Sequence, residues 1–257
     1  MLRKDQIKNS SAKAASANAQ EVAKFEAMAQ EWRDPKGKYK AVHAFNDARI
    51  PYLLSEIQTR LGEPSGASPH LNGLRIADIG CATGLISEAI ARHGGEVLAI
   101  DAAANNIEIA KYCAKEQELE IDYQIAVPEL LENEASSYDA VLTLEVVEHV
   151  GDLPVFLNAT GKLVKPGGLL IVGTLNRTII SYFKAILGAE YILRLLPRGT
   201  HDWRAFVRPH ELDGLLQPDG FTRKSLVGIE LQPIVWKWQI TRNPSVNYMA
   251  IYQKNYR

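Results

Sequence analysis

Apolar residues along this chain follow two rhythms, and the change between them near residue 74 divides it. Before that point the spacing is helical. Val22, Phe25, Met28, Ala29 and Trp32 share one face, and the run ends at Asp34-Pro35, where the proline restricts the residue before it. A second helix is expected over 49–61 from Ile50, Leu53, Leu54 and Ile57. The turn formers of 62–69 then close this N-terminal cap. From Leu74 onward short apolar runs alternate with helical stretches. Strands are expected at 75–79, 97–100, 121–125, 140–144 and 169–172. The helices between them fall at 85–93, 107–115 and 152–163, the first closed by Gly94-Gly95 and the last by Lys165-Pro-Gly-Gly168. Such alternation means a mostly parallel sheet covered on both faces.

The stretch 221–252 alternates strongly enough to add the last, antiparallel strands, for seven in all. The expected division is a flexible tail over 1–20 and a single domain over 21–257. Within it lie a helical cap (21–70), a cofactor-binding core (74–175), an insertion or lid (176–204), and a C-terminal helix and strands (205–257). Within the insertion, the stretch 179–196 is apolar around most of its circumference. Lys184, Glu190 and Arg194 interrupt it too often for a membrane span. It reads either as a cap helix over a pocket or as a surface, 178–198, that dips into a bilayer interface.

Composition narrows the class. With 46% hydrophobic and 23% charged residues among 257, and a net charge of -1, the chain is an ordinary globular protein, and nothing in its charge points to nucleic acid. Two cysteines, Cys81 and Cys113, make no disulfide framework. Residues 1–19 contain no apolar signal core, and Glu21 and Glu26 follow at once, so a cytoplasmic chain is expected.

The first candidate chemistry is Asp78-Ile-Gly-Cys-Ala-Thr-Gly84, where a strand turns into a helix. There backbone N–H groups are exposed and Gly80 and Gly84 let a ligand approach. Asp101, at the end of the next strand, stands where an acid can accept hydrogen bonds from ribose hydroxyls. A tight turn alone would explain the glycines; the two acids together favour a nucleoside cofactor. An acidic loop suits S-adenosylmethionine, which carries an ammonium and a sulfonium and no phosphate, better than a dinucleotide.

The second is Glu145, Glu148 and His149, directly after the fourth strand. Spacings of three and four place them on one side of a helical turn. Two carboxylates and an imidazole suit a divalent metal. Acids also simply stabilise a helix start, but the carboxyl ends of parallel strands are where such sheets bind ligands. His149 could instead act as a general base, and the sequence does not separate the two roles.

These motifs, with Tyr138-Asp-Ala-Val141 and Lys165–Gly168, resemble those of class I S-adenosylmethionine-dependent methyltransferases. Leu144–Val150, Gly173-Thr-Leu-Asn-Arg177, Gly188–Arg194 and Gly199-Thr-His-Asp202 more narrowly resemble the UbiG-type O-methyltransferases of ubiquinone biosynthesis, over about 45–252. The resemblance implies a Rossmann-like α/β fold and methylation of a phenolic hydroxyl on a polyprenyl catechol or demethylubiquinol. It implies S-adenosylmethionine contacts at Arg49, Asp78, Gly80, Gly84, Asp101 and Leu144. It also implies a divalent ion, Mg, at Glu145, Glu148 and His149, with Glu145 and His149 catalytic. Asn176 and His201 are the implied substrate residues. The implied setting is the inner face of the membrane, beside other quinone-biosynthesis enzymes. One departure stands out. The family usually has glycine where this chain has Ala82, and often at Thr83; a methyl at 82 narrows the loop and disfavours positive φ. A class I methyltransferase for another phenol or a carbon acceptor, and a non-catalytic cofactor-binding subunit, are the alternatives.

Overall fold

The computed structural model describes residues 16–34, 36, 37, 39–62, 70–182, 202–232, 235 and 237–256. Its frame is an eight-stranded sheet of order β3-β2-β1-β4-β5-β8-β6-β7. β1 (Arg75–Ile79), β2 (Glu96–Asp101), β3 (Asp122–Ile125), β4 (Tyr138–Leu144) and β5 (Val164–Leu175) are mutually parallel. β6 (Phe221–Gln232), β7 (Lys237–Thr241) and β8 (Asn247–Lys254) complete it with antiparallel pairings. The expected α/β architecture is present.

Side chains that alternate along the parallel strands fill two cores. Ile76, Leu142 and Ile171 face α2 (Lys40–Leu61), α3 (Leu85–Arg92) and α4 (Ala104–Glu116). Their neighbours Ala77, Val141 and Leu170 face α5 (Leu153–Leu163) and α7 (Pro209–Leu216). Strands buried on both faces explain why the sequence shows continuous apolar runs there and not an alternation. A single turn, α6 (Ile179–Ser181), follows β5.

The structure corrects the sequence reading in several places. Among the described residues there are eight strands and not seven, because β6 is shared: its first half pairs with β8, and Gly228–Gln232 pair with β7. The Lys165–Gly168 turn lies inside β5, where a register shift against β4 absorbs it. The second helix starts at Lys40 and runs through Pro51, at the cost of one helical hydrogen bond. Asn18 caps α1 (Ala19–Trp32) through its side chain, and buried Ser16 accepts from Gly151 N and donates to Glu129. Most of the insertion, with His201, lies outside the described residues. Among the described residues no helix is long and apolar enough to cross a membrane.

Candidate active site

A cavity of about 840 Å³ opens at the carboxyl ends of β1, β2 and β4, within the size range of small-molecule sites. Its floor is the loop between β1 and α3. Gly80 N and Cys81 N both donate to Ile100 O, at 2.8 and 2.9 Å, which docks the loop on β2. Both glycines are needed for shape as well as for φ. Gly80 has φ +77 and a Cβ there would lie 2.4 Å from Val146 Cγ2. Gly84 has φ +88 and a Cβ would lie 2.3 Å from the Tyr123 hydroxyl. Gly84 thus packs behind the loop and does not line the cavity.

Ala82 takes up the left-handed conformation that its methyl disfavours, with φ +48. Its N–H donates to Asp101 Oδ2 at 2.9 Å. Asp101 Oδ1 accepts from Ala103 N and Asn106 Nδ2, so this carboxylate organises the loop and the start of α4 together. Burial raises its pKa, opposed by these hydrogen bonds. Asp78 is more deeply buried. It accepts from Ser87 Oγ at 2.6 Å, and burial pushes it up to about 6, against the pull of Ser87 and Arg49. An ammonium or hydroxyl donor beside these acids would restore their ionised forms. The donor set therefore fits a cationic nucleoside cofactor.

Arg49 reaches the cavity from α2. Its Nε donates to Asn46 Oδ1 at 2.7 Å and Nη1 to Glu145 Oε1 at 3.2 Å. Burial lowers its pKa while Glu145, Asp78 and Glu148 raise it. Leu144, the last residue of β4, forms part of the wall.

The segment after Leu144 is not a helical turn. Glu145 sits at φ +58, its N–H donating to Gly173 O, and the three candidate ligands point apart. Glu145 pairs with Arg49. Glu148 turns inward, where Thr174 Oγ1 donates to its Oε2 at 2.7 Å. Burial, and then Glu145, push it up to about 8, and its Oε1 has no hydrogen-bond partner. His149 Nδ1 lies 2.7 Å from Glu21 Oε2 on α1, and its ring meets Phe25 edge-on. Among the described residues no three His, Cys, Asp or Glu are grouped to hold a metal. The expectation that the three share one side of a helical turn is corrected: the Glu145 backbone at φ +58 breaks the helical register on which it relied.

Glu145 and His149 both line the cavity with Asp78, Gly80 and Asp101. Asn176 does not. Its Nδ2 donates to Pro244 O and its N–H to Val246 O, tying the end of β5 to the turn before β8. Sequence reasoning missed Glu21, Phe25, Asn106 and Trp238, which also line the cavity. The apolar stripe of α1 marked it as a cap, but its partners lie far along the chain.

A methyltransferase-domain family model matches residues 77–172, the span from β1 to β5. The ubiquinone biosynthesis O-methyltransferase of Pelagibacter ubique is 42% identical over 93% of this chain and 99% of its own. That of Ruegeria pomeroyi is 47% identical over 90% and 93%. Among solved structures, magnesium protoporphyrin IX methyltransferase from Synechocystis with bound SAM superposes with a TM-score of 0.62 at 14% identity, covering 93% of this chain and 99% of that one. A Burkholderia thailandensis 1,6-didemethyltoxoflavin-N1-methyltransferase gives 0.60 at 13% identity, over 92% and 88%. At such identities the structures speak to the fold.

Proposed function

The chain belongs to the family of ubiquinone biosynthesis O-methyltransferases, and on that premise we propose that it methylates a phenolic hydroxyl of a polyprenyl catechol or demethylubiquinol. The carrying observation is that the acidic cofactor loop, the Glu145–His149 turn and an apolar wall meet in one cavity. S-adenosylmethionine, when bound, supplies an electrophilic methyl group on a sulfonium. Asp101 stands at the strand end suited to ribose hydroxyls, and buried Asp78 and Arg49 offer opposite charges for an ammonium and a carboxylate. His149 is the base that takes the phenolic proton, with Glu21 at its Nδ1. The phenolate oxygen then bonds to the methyl carbon as the carbon–sulfur bond breaks, leaving a neutral thioether. The protein contributes alignment and a cavity wall that excludes water.

A divalent ion is the finer part of this proposal. Two carboxylates and an imidazole in one short turn have the right chemistry, and the unpartnered Glu148 Oε1 supports it. As placed, the three donors do not fit an ion. Glu145 would have to leave Arg49 and His149 would have to leave Glu21, so no step is routed through the metal. Contact with the inner membrane face through 178–198 is likewise proposed, supported by exposed Ile179, Ile180 and Tyr182 at its start. The alternative of a non-catalytic, cofactor-binding subunit of a quinone-biosynthesis complex rests on Ala82; that residue adopts the loop's conformation all the same. Calorimetric titration with S-adenosylmethionine, followed by methyl transfer to a short-chain demethylated quinol, tests the proposal. Absence of both would end it.

A further inference from the structure

The part of the cavity that the cofactor chemistry does not use is walled by an unusual extension of the sheet. β6 runs in the same direction as β5, since both are antiparallel to β8. The β5–β8 ladder ends at Leu175–Asn247, whereas the β6–β8 ladder ends at Val227–Met249. Gly228 and Ile229 lie level with Tyr248 and Asn247, so Glu230–Gln232 continue past the carboxyl edge of the sheet, on the side where the cofactor loop lies; from Gly228 onward the ladder partner among the described residues is β7. The departure is built in. Asn247 Oδ1 accepts from Ile229 N at 2.8 Å, and a Cβ at Gly228 would lie 1.9 Å from Asn243 O.

This projecting hairpin faces the N-terminal half of α2. Trp238 of β7 meets Phe45 of α2 edge-on, with ring centroids 5.1 Å apart. The Arg49 guanidinium lies over the Phe45 ring, 5.0 Å from its centroid. Val42, Phe45, Ile229, Leu231 and Trp238 all line the cavity. The cavity thus passes from buried charge at Asp78 and Arg49 to an aromatic and aliphatic wall within one side chain's reach of Arg49.

From this geometry we propose that the β6–β7 hairpin and the facing half of α2 recognise the apolar substituent of the acceptor, with Trp238 the main specificity determinant. The proposal rests on the reading of the acceptor as a prenylated catechol. A catechol ring held near Glu145 and His149 would direct a ring substituent along this wall, and burying the first isoprene unit against Trp238 and Leu231 would favour prenylated over bare acceptors. Loss of a large aromatic contact of this kind corresponds to about ten- to a hundred-fold in affinity.

The test compares kcat/KM for catechol carrying one isoprene unit with that for catechol itself, using labelled S-adenosylmethionine and the full chain. In Trp238→Ala the ratio of the two should fall about ten-fold or more, and in Trp238→Phe clearly less. Leu231→Asn should lower the same ratio, and it serves if Trp238→Ala does not fold, as judged by thermal unfolding. A ratio unchanged from wild type in folded variants overturns the assignment of the hairpin while leaving the reaction intact. A wild-type protein that methylates neither catechol overturns the reading of the acceptor itself.

Discussion

Replacing Ala82 with glycine should make this protein more stable. A non-glycine residue in the left-handed region costs about 1–2 kcal/mol, and Ala82 is held there at φ +48. Glycine removes that cost but loses more freedom on folding, about 0.5–1 kcal/mol relative to alanine. The difference favours Ala82→Gly by about 0.5–1 kcal/mol. In a domain of this size that is a rise in Tm of about 1–4 °C. The bond from the residue 82 N–H to Asp101 is a backbone bond and survives the change. Cofactor affinity should therefore hold or improve. Gly84→Ala is the matched control. It introduces the same strain at φ +88, and its Cβ would collide with the Tyr123 hydroxyl, so a loss of about 2–4 kcal/mol is expected. Differential scanning calorimetry with and without S-adenosylmethionine measures both. A lower Tm for Ala82→Gly would mean that the alanine methyl contributes packing worth more than the strain, and the account of the loop would be wrong.

Other outcomes follow from the buried charges. The folded-state pKa of Asp78, about 6, lies above its ordinary 3.8. Its contribution to stability is thus fully present below pH about 4 and is lost as pH rises through about 6, at most about 3 kcal/mol. Asp78→Asn should flatten this part of the urea-unfolding pH profile while weakening S-adenosylmethionine binding in calorimetry; an unaltered profile would contradict the burial argument. Arg49→Ala leaves Glu145, itself about a third exposed, without its guanidinium partner and Asn46 with a broken bond, for a loss of about 1–3 kcal/mol in denaturant titration, and it should raise the KM for the cofactor. If a divalent ion is recruited, a chelator should suppress turnover and Glu145→Ala should remove the stimulation by added Mg; turnover indifferent to chelator would remove the metal from the account.

The core was legible because parallel strands buried on both faces leave unbroken apolar runs, and Asp78 and Asp101 could be placed at strand ends from those runs alone. The same reasoning failed for the Glu145–His149 turn. Spacings of three and four read as helical, but Glu145 at φ +58 sends Glu145, Glu148 and His149 to Arg49, Thr174 and Glu21 in turn, partners contributed by other elements. Asn176, expected at substrate, is engaged with Pro244 for the same reason: its partner is remote in sequence. The hairpin was half visible. Alternation after residue 221 announced antiparallel strands, but only the pairing shows that β6 changes partner at Gly228 and projects over the cavity. Ala82 was recognised as a departure, and the structure adds that the loop keeps its shape by straining that residue.

The most direct test of the central claim is transfer of the labelled methyl group from S-adenosylmethionine to a short-chain prenyl catechol by the purified full chain, with the product's methyl position determined by mass spectrometry and NMR. The account predicts label on a phenolic oxygen, strongly reduced in His149→Ala and in Asp101→Ala. Label on a ring carbon, or no transfer by a protein that binds the cofactor, would contradict it.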